Sequence, residues 1–202
     1  VRTMCAKAIG ASYVTQKYLQ SKYPPRANND SAAFTASYSS VELNDEFFAS
    51  PKRWDSSQKT FYVSHVANYF SGYGKGHITL MDAIKLLKDK GYDVRIRFVG
   101  DGPKLEEFKT YAKSLGIDDK VEFTGRLSDG ASVRRVISDT DIFVLPTFAE
   151  GLPRALLEAM SEGLPCLSSP ICGIPEVLSK DFLYDFADSN GFAIGIERFI
   201  TN

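Results

Sequence analysis

From residue 61 onward, short apolar segments alternate with longer segments of helical period, and this alternation constrains the fold more than any other feature of the chain. Residues 61–66 read as a strand. The helix that follows has Leu80, Ala83, Leu86 and Leu87 among its apolar positions and ends at Lys90-Gly91, with basic residues in the last turn and glycine just past it. Residues 94–99 read as the next strand, 104–115 as a helix stopped by Gly116, 121–124 as a strand and 131–138 as a helix. Residues 141–145 are a near-continuous apolar run, which suits a parallel strand covered on both faces. A helix over 152–162, a strand over 165–168, a short helix over 174–178 and a last short strand over 182–184 complete the series.

Strand and helix thus alternate at least four times with short connections, which predicts a doubly wound, Rossmann-like α/β domain with a parallel sheet. Such sheets bind ligands in the loops just past the carboxyl ends of their strands. Here those loops are 65–76, 100–103, 125–128, 146–153 and 169–176, and they carry most of the unusual residue clusters. Residues 1–60 read differently, as an irregular lead-in with loops at Pro24-Pro25, 28–31 and 55–59 and short strands near 13–15 and 33–36. The expected organisation is therefore a lead-in over 1–60 and one compact domain over 61–202, which is enough chain to bury its own core.

Composition narrows the function. The 24 Lys and Arg nearly balance 25 Asp and Glu, a net charge of −1, so there is no overall pull toward nucleic acid or an anionic membrane. Three cysteines and two histidines provide neither a disulfide framework nor a structural zinc site, and a reducing, cytoplasmic compartment is expected. No apolar run approaches the roughly 18 residues of a membrane span, and the first residues lack the apolar core of a signal peptide. No histidine is placed for a Ser–His or Cys–His relay, which disfavours triad hydrolysis.

Five clusters sit in the strand-end loops. The first runs from Glu150 through Gly151, Leu152, Pro153 and Arg154 to Glu158, after a buried strand and into a helix. Free N–H groups at such a helix start favour a phosphate, and Glu150 just outside can reach sugar hydroxyls. Arg154 and Glu158 also fit a solvated polar face with one surface ion pair. The second cluster is Gly100-Asp101-Gly102-Pro103. It lacks the third glycine of a dinucleotide fingerprint and fits either a tight strand-to-helix turn or close backbone approach to a ligand. The third, 72–77, places Lys75 among glycines, where it can meet a phosphate or stay solvated. Tyr69, Phe70 and Tyr73 beside it are a stacking surface or loop packing. The fourth, Gly125-Arg126-Leu127-Ser128, offers Arg126 to a base, a phosphate or solvent, and the fifth, 172–176, reads as a helix start. Cys166 and Cys172 read as small buried hydrophobes.

The ordered set of these clusters is more specific than any one of them. It resembles the C-terminal, donor-binding domain of the family-four retaining glycosyltransferases of GT-B fold, over about residues 61–180. The resemblance is carried by Gly74-Lys75-Gly76, Phe98-Val99-Gly100-Asp101-Gly102-Pro103, Val121 to Gly125, Asp141 to Pro146, the Glu150–Glu158 pair with seven residues between, Gly163-Leu164-Pro165 and Gly173-Ile174-Pro175-Glu176. Residues 13–20 look like the segment leading in from the other domain, so the chain is expected to be one half of a two-domain GT-B enzyme.

The resemblance implies a nucleotide-sugar donor (UDP- or GDP-sugar) and a sugar or lipid-linked acceptor held by an N-terminal domain. It implies no metal or other cofactor. Lys75 would meet the donor diphosphate, Glu150 would face the donor sugar, and Glu158 would accept both ribose hydroxyls. Amides of Gly151, Leu152 and the neighbours of Pro153 would hold sugar and phosphate oxygens. Arg126 and Leu127 would lie against the base, and Gly102 would approach the donor through its backbone. The family often carries an arginine five or six residues before the lysine. Tyr69 and Phe70 stand there in this chain, which leaves His65 or Arg154 to supply a second cation. The expected activity is sugar transfer in polysaccharide or glycoconjugate synthesis, by a parent protein that is cytoplasmic or peripheral at the inner face of the membrane. The fragment itself is expected to be inactive. The alternatives are a non-catalytic nucleotide-sugar-binding module or another GT-B relative such as a sugar epimerase.

Overall fold

The computed structural model describes residues 1–39, 41–55, 57–70 and 72–201. Ser56, part of the loop read at 55–59, and the side chain of Tyr73 lie outside the described residues. In chain order the first elements are α1 (Arg2–Lys7), β1 (Gly10–Tyr13), α2 (Tyr18–Lys22) and β2 (Phe34–Ser37). The regular part follows as β3 (Thr60–Tyr69), α3 (His77–Asp89), β4 (Asp93–Asp101), α4 (Leu105–Ser114), β5 (Val121–Gly125), α5 (Gly130–Ser138), β6 (Ile142–Leu145), α6 (Arg154–Ser161), β7 (Cys166–Ser168) and α7 (Ser189–Thr201).

Strands β3 to β7 form one parallel sheet in the order β5-β4-β3-β6-β7. The chain therefore leaves β3 toward one edge and later returns to its other side. Val63 pairs with Ile96 of β4 and with Ile142 of β6. This reversal sends the helices that follow β3 and β6 to opposite faces of the sheet, the arrangement that opens a crevice at the carboxyl ends of the strands. Alternation along each strand feeds two apolar layers. Ile142 and Val144 of β6 join Val63, Ile96 and Phe98 against α3, α4 and α7. Phe143 and Leu145 join Val66, Val99 and Cys166 against α5 and α6, through Ile137 and Leu156. All four residues of β6 are buried, as a strand covered on both faces requires.

Residues 1–60 are more ordered than the sequence suggested. Strands β1 and β2 pair in parallel as a separate two-stranded sheet, with Gly10 opposite Phe34. Further on, the backbone bonds directly to the end of α6: Ala49 N–H donates to Ser161 and Lys52 N–H to Gly163, each at 2.8 Å. Composition alone hid this, because the partners lie more than 100 residues away. Two expectations near the C-terminus also change. The helix read over 174–178 is a single 3-10 turn, Ile174–Glu176. The strand read over 182–184 reduces to one bridge between Leu183 and Ser168 after a 3-10 turn at Lys180–Phe182.

Helix α7 was not legible in the sequence. Gly191 and Gly195 lower its intrinsic propensity. Packing overrides this, because Phe192, Ala193 and Ile196 are buried in the layer that holds α3. The glycines admit Tyr184, whose ring atoms would lie within 2.8 Å of a Cβ at either position.

Candidate donor cleft

A cleft of about 970 Å³ opens at the carboxyl ends of β3, β4, β5 and β6. Its floor is made by Val66, Ala67, Val99 and Leu145, which lie in the C-terminal halves of their strands. Lys75, Arg126, Leu127, Glu150, Gly151, Leu152, Pro153, Arg154 and Glu158 all line it. Residues spread over more than 80 positions therefore meet because each follows or caps a strand of one parallel sheet.

Gly102 is the exception. The cleft is lined by Gly100, while Gly102 sits against the backbone of Phe70, 2.6 Å from where its Cβ would lie. Its φ of 155° and this close approach give the glycine a packing reason, and it does not line the cleft. Gly76 works similarly at the cleft's edge. It has φ 71°, and a Cβ there would lie 2.3 Å from the Pro146 carbonyl oxygen. The loop after β3 can thus press against the loop after β6.

That approach sets the central polar contact. Lys75 Nζ donates to the Glu150 carboxylate and, at 3.3 Å, to the Ala149 carbonyl. Both side chains are partly exposed, so the pair is reachable from the cleft. Glu158 is half-buried on α6, one turn past Arg154. Among the described residues no ion pair joins Arg154 to Glu158, so the surface-pair reading of these two finds no support. Both face the cleft instead. No side chain caps α6 at Pro153, and Arg154 and Ala155 of its first turn line the cleft. Uncapped amides and a guanidinium at one helix start make a suitable place for an anion. Across the cleft, Asp129 caps α5 by accepting from Ser132 N–H at 2.7 Å. Bonds from Ser128 and the Ser132 amide hold its carboxyl below the usual range.

Beneath the loops lies a layer that sequence reasoning missed. His65 and His77 are fully buried and meet edge to face, with ring centroids 4.8 Å apart. His77 stacks on Phe108 at 4.6 Å and also meets Phe70 and Phe98. His65 bonds the Val144 carbonyl through Nδ1 at 3.0 Å. Burial pushes the His65 imidazole down to about 4, against the bond to Val144, and pushes His77 down to about 2, with His65 and Lys75 adding to the effect. His65 is therefore neutral at physiological pH and cannot be a second cation. Phe70 is likewise core, while Tyr69 is exposed and lines the cleft. Arg154 remains as the candidate cation. Cys166 is buried, as expected, and its thiol is pushed up to about 12 by burial. The two cysteines differ: Cys172 is only half-buried and has a φ of 53°.

A parallel sheet with a strand-order reversal, and a polar cleft at its carboxyl ends, define a doubly wound α/β domain with its candidate site at the switch point. The comparisons identify which one. The profile of the family described as Glycosyl transferases group 1 matches residues 60–202, and the chain belongs to that family. The chain is 31% identical over 174 residues to Protein CapJ of Staphylococcus aureus, covering 86% of this chain and 42% of CapJ. It is 34% identical over 113 residues to the putative colanic acid biosynthesis glycosyltransferase WcaL of Escherichia coli, covering 53% of this chain and 28% of WcaL. The chain thus spans less than half the length of these relatives.

Among solved structures, Anabaena HepE in complex with UDP superposes with a TM-score of 0.77 at 20% identity, covering 98% of this chain and 56% of that one. A mutant of S. aureus TarM in complex with fondaparinux, alpha-GlcNAc-glycerol and UDP gives 0.77 at 17%, covering 98% and 38%. The fold is that of GT-B glycosyltransferases, and the doubly wound domain is their C-terminal domain. Among the described residues, no helix is long and apolar enough to cross a membrane.

Proposed function

We propose that this chain forms the donor side of a retaining glycosyltransferase that moves a sugar from a nucleotide-sugar to an acceptor bound by the rest of a longer protein. The observation that carries this reading is the convergence of Lys75, Glu150, Arg154 and Glu158 on one cleft at the strand-order reversal. UDP is the favoured nucleotide, because structures of two GT-B neighbours contain it. Relatives named for colanic acid and amylovoran synthesis support an acceptor in polysaccharide assembly.

The geometry suggests a division of labour. Lys75 already holds a carboxylate, so phosphate oxygens of a donor compete with Glu150 for the same ammonium. Once the exchange is made, Lys75 and the α6 amides meet the charge that grows on the diphosphate as the bond from the sugar anomeric carbon to the phosphate oxygen breaks. Glu150, released, is free to accept hydrogen bonds from the donor sugar. Glu158, further along α6, accepts the two ribose hydroxyls, and Arg126 with Leu127 lies against the base. In this reading charge is met by fixed cations and amides, and no metal is called upon. Transfer itself is assigned to the longer protein, with this chain binding the donor without turning it over.

The test is a thermal-shift titration of the chain with UDP, GDP and ADP. A ligand at about 100 times its Kd stabilises the fold by roughly 2.7 kcal/mol. Stabilisation by one nucleotide, abolished in Glu158→Ala, is the expected result. No response to any of the three at millimolar concentration would refute the donor-site assignment.

A further inference from the structure

The fifth sequence cluster finds no use in the donor cleft itself, because Glu176 does not line it. Its carboxylate reaches instead across the fold to a segment 160 residues earlier. Gln16 N–H donates to Oε2 at 2.6 Å, and Lys17 and Tyr18 N–H donate to Oε1 at 3.1 and 2.7 Å. Three amides at the start of α2 are thereby satisfied by one side chain from outside the helix, whose own flanking residue Lys17 makes no side-chain cap. Partial burial would raise the carboxyl's pKa, but these three bonds outweigh it and hold it low.

The segment so held is a wall of the site. Val14 lines the cleft, and a Cβ on Gly151 would lie 3.3 Å from its Cγ2. Thr15 is buried, takes the Leu19 N–H at 2.8 Å through Oγ1, and presses on Gly173. Gly173 closes the circuit, since its N–H donates to the Gly151 carbonyl at 2.9 Å. A Cβ at Gly173 would meet both Thr15 Cγ2, at 2.5 Å, and that carbonyl oxygen, at 2.8 Å. The residue before it, Cys172, is held at a φ of 53°, a conformation that a non-glycine residue keeps only where its surroundings over-determine it. Segments 14–19, 150–152 and 172–176 therefore lock one another.

We propose that Glu176 is a positioning residue for the donor cleft: by clamping the backbone of Gln16, Lys17 and Tyr18 it braces Val14 against Gly151 and Thr15 against Gly173, which bonds the Gly151 carbonyl, and so fixes the loop that presents Glu150. The proposal rests on the donor-site reading for its functional consequence, though not for the clamp itself. The brace acts at the Glu150 end of the cleft, away from Glu158, so its loss weakens the hold on the sugar and spares the nucleotide.

Amide hydrogen exchange on the intact chain tests the clamp without any ligand. In Glu176→Gln the amide group meets the N–H groups of residues 16–18, and their exchange is expected to rise by about tenfold or more. The Gly173 amide, which has no bond to the Glu176 side chain, is expected to rise with them. Amides of β3 and β4 should stay unchanged. A Gly173 amide that keeps its protection, or a uniform rise that includes β3 and β4, overturns the brace. Gly173→Ala provides a second approach, since it wedges the same circuit without altering the Glu176 side chain, and residues 16–18 should again lose protection as the wedge pulls them off that carboxylate.

Calorimetry with UDP and UDP-N-acetylglucosamine then reads the function. In Glu176→Gln the affinity for the sugar nucleotide is expected to fall at least about fivefold relative to that for UDP, a change in ratio that a loss of stability alone would not produce. An unchanged ratio refutes the positioning role. If the unsubstituted chain binds neither ligand, the donor reading fails, and the exchange experiment still decides the clamp.

Discussion

Acid should weaken this fold through its two histidines between pH 7 and 5. Both imidazoles are buried neutral, with pKa values pushed down to about 4 and about 2. In the unfolded chain each takes up a proton near pH 6.5. The unfolded state thus binds more protons than the folded state below that value, and stability falls as pH falls. It is fully present above about pH 6.5 and is lost progressively toward the folded pKa values. The slope is about 1.4 kcal/mol per pH unit for each histidine, which amounts to roughly 4 kcal/mol for both between pH 7 and 5. That is a large share of a typical stability of about 5–15 kcal/mol. The chain has only these two histidines, and its single tryptophan, Trp54, packs edge-on against Phe61 and reports unfolding. Urea unfolding followed by Trp54 fluorescence at pH 7, 6 and 5 measures the loss directly. His77→Phe, which suits a site walled by Phe70, Phe98 and Phe108, should remove about half of the pH dependence. A loss below 1 kcal/mol in the unsubstituted chain, or a full slope retained in His77→Phe, would refute the argument that burial keeps both rings neutral.

Three further outcomes follow from the cleft. Lys75→Met in the longer protein should lower kcat by about 10²–10³-fold while changing unfolding free energy by less than about 1 kcal/mol, because the pair it breaks is partly exposed. Arg154→Ala should weaken UDP binding to the chain by roughly tenfold and flatten its salt dependence, as expected for a guanidinium bonded to phosphate. Calorimetry at two ionic strengths checks both effects. Gly102→Ala should cost about 1–3 kcal/mol in denaturant unfolding through its φ of 155° and the Phe70 backbone. It should leave UDP affinity within about twofold, since Gly102 lies off the cleft wall; a larger change would return it to the site.

The sequence by itself determined the architecture from residue 61 and the neighbourhood of the site. Strand and helix periods are local properties, and strand-end loops of a parallel sheet share one edge whatever their details. That is why Lys75, Arg126, Glu150 and Glu158 were legible as candidates without a structure. Only the tertiary structure decided what depends on non-local packing. It placed His65 and His77 in the core, which took His65 out of the list of cations, and it gave Gly102 to the Phe70 backbone. It formed α7 in spite of two glycines, because burial of Phe192 and Ile196 outweighs propensity. It also bound Glu176 to residues 16–18, a contact 160 positions apart that no local pattern encodes. Local chemistry fixes which groups a chain can present. Burial and long-range closure fix which of those groups remain charged, paired or reachable at the site.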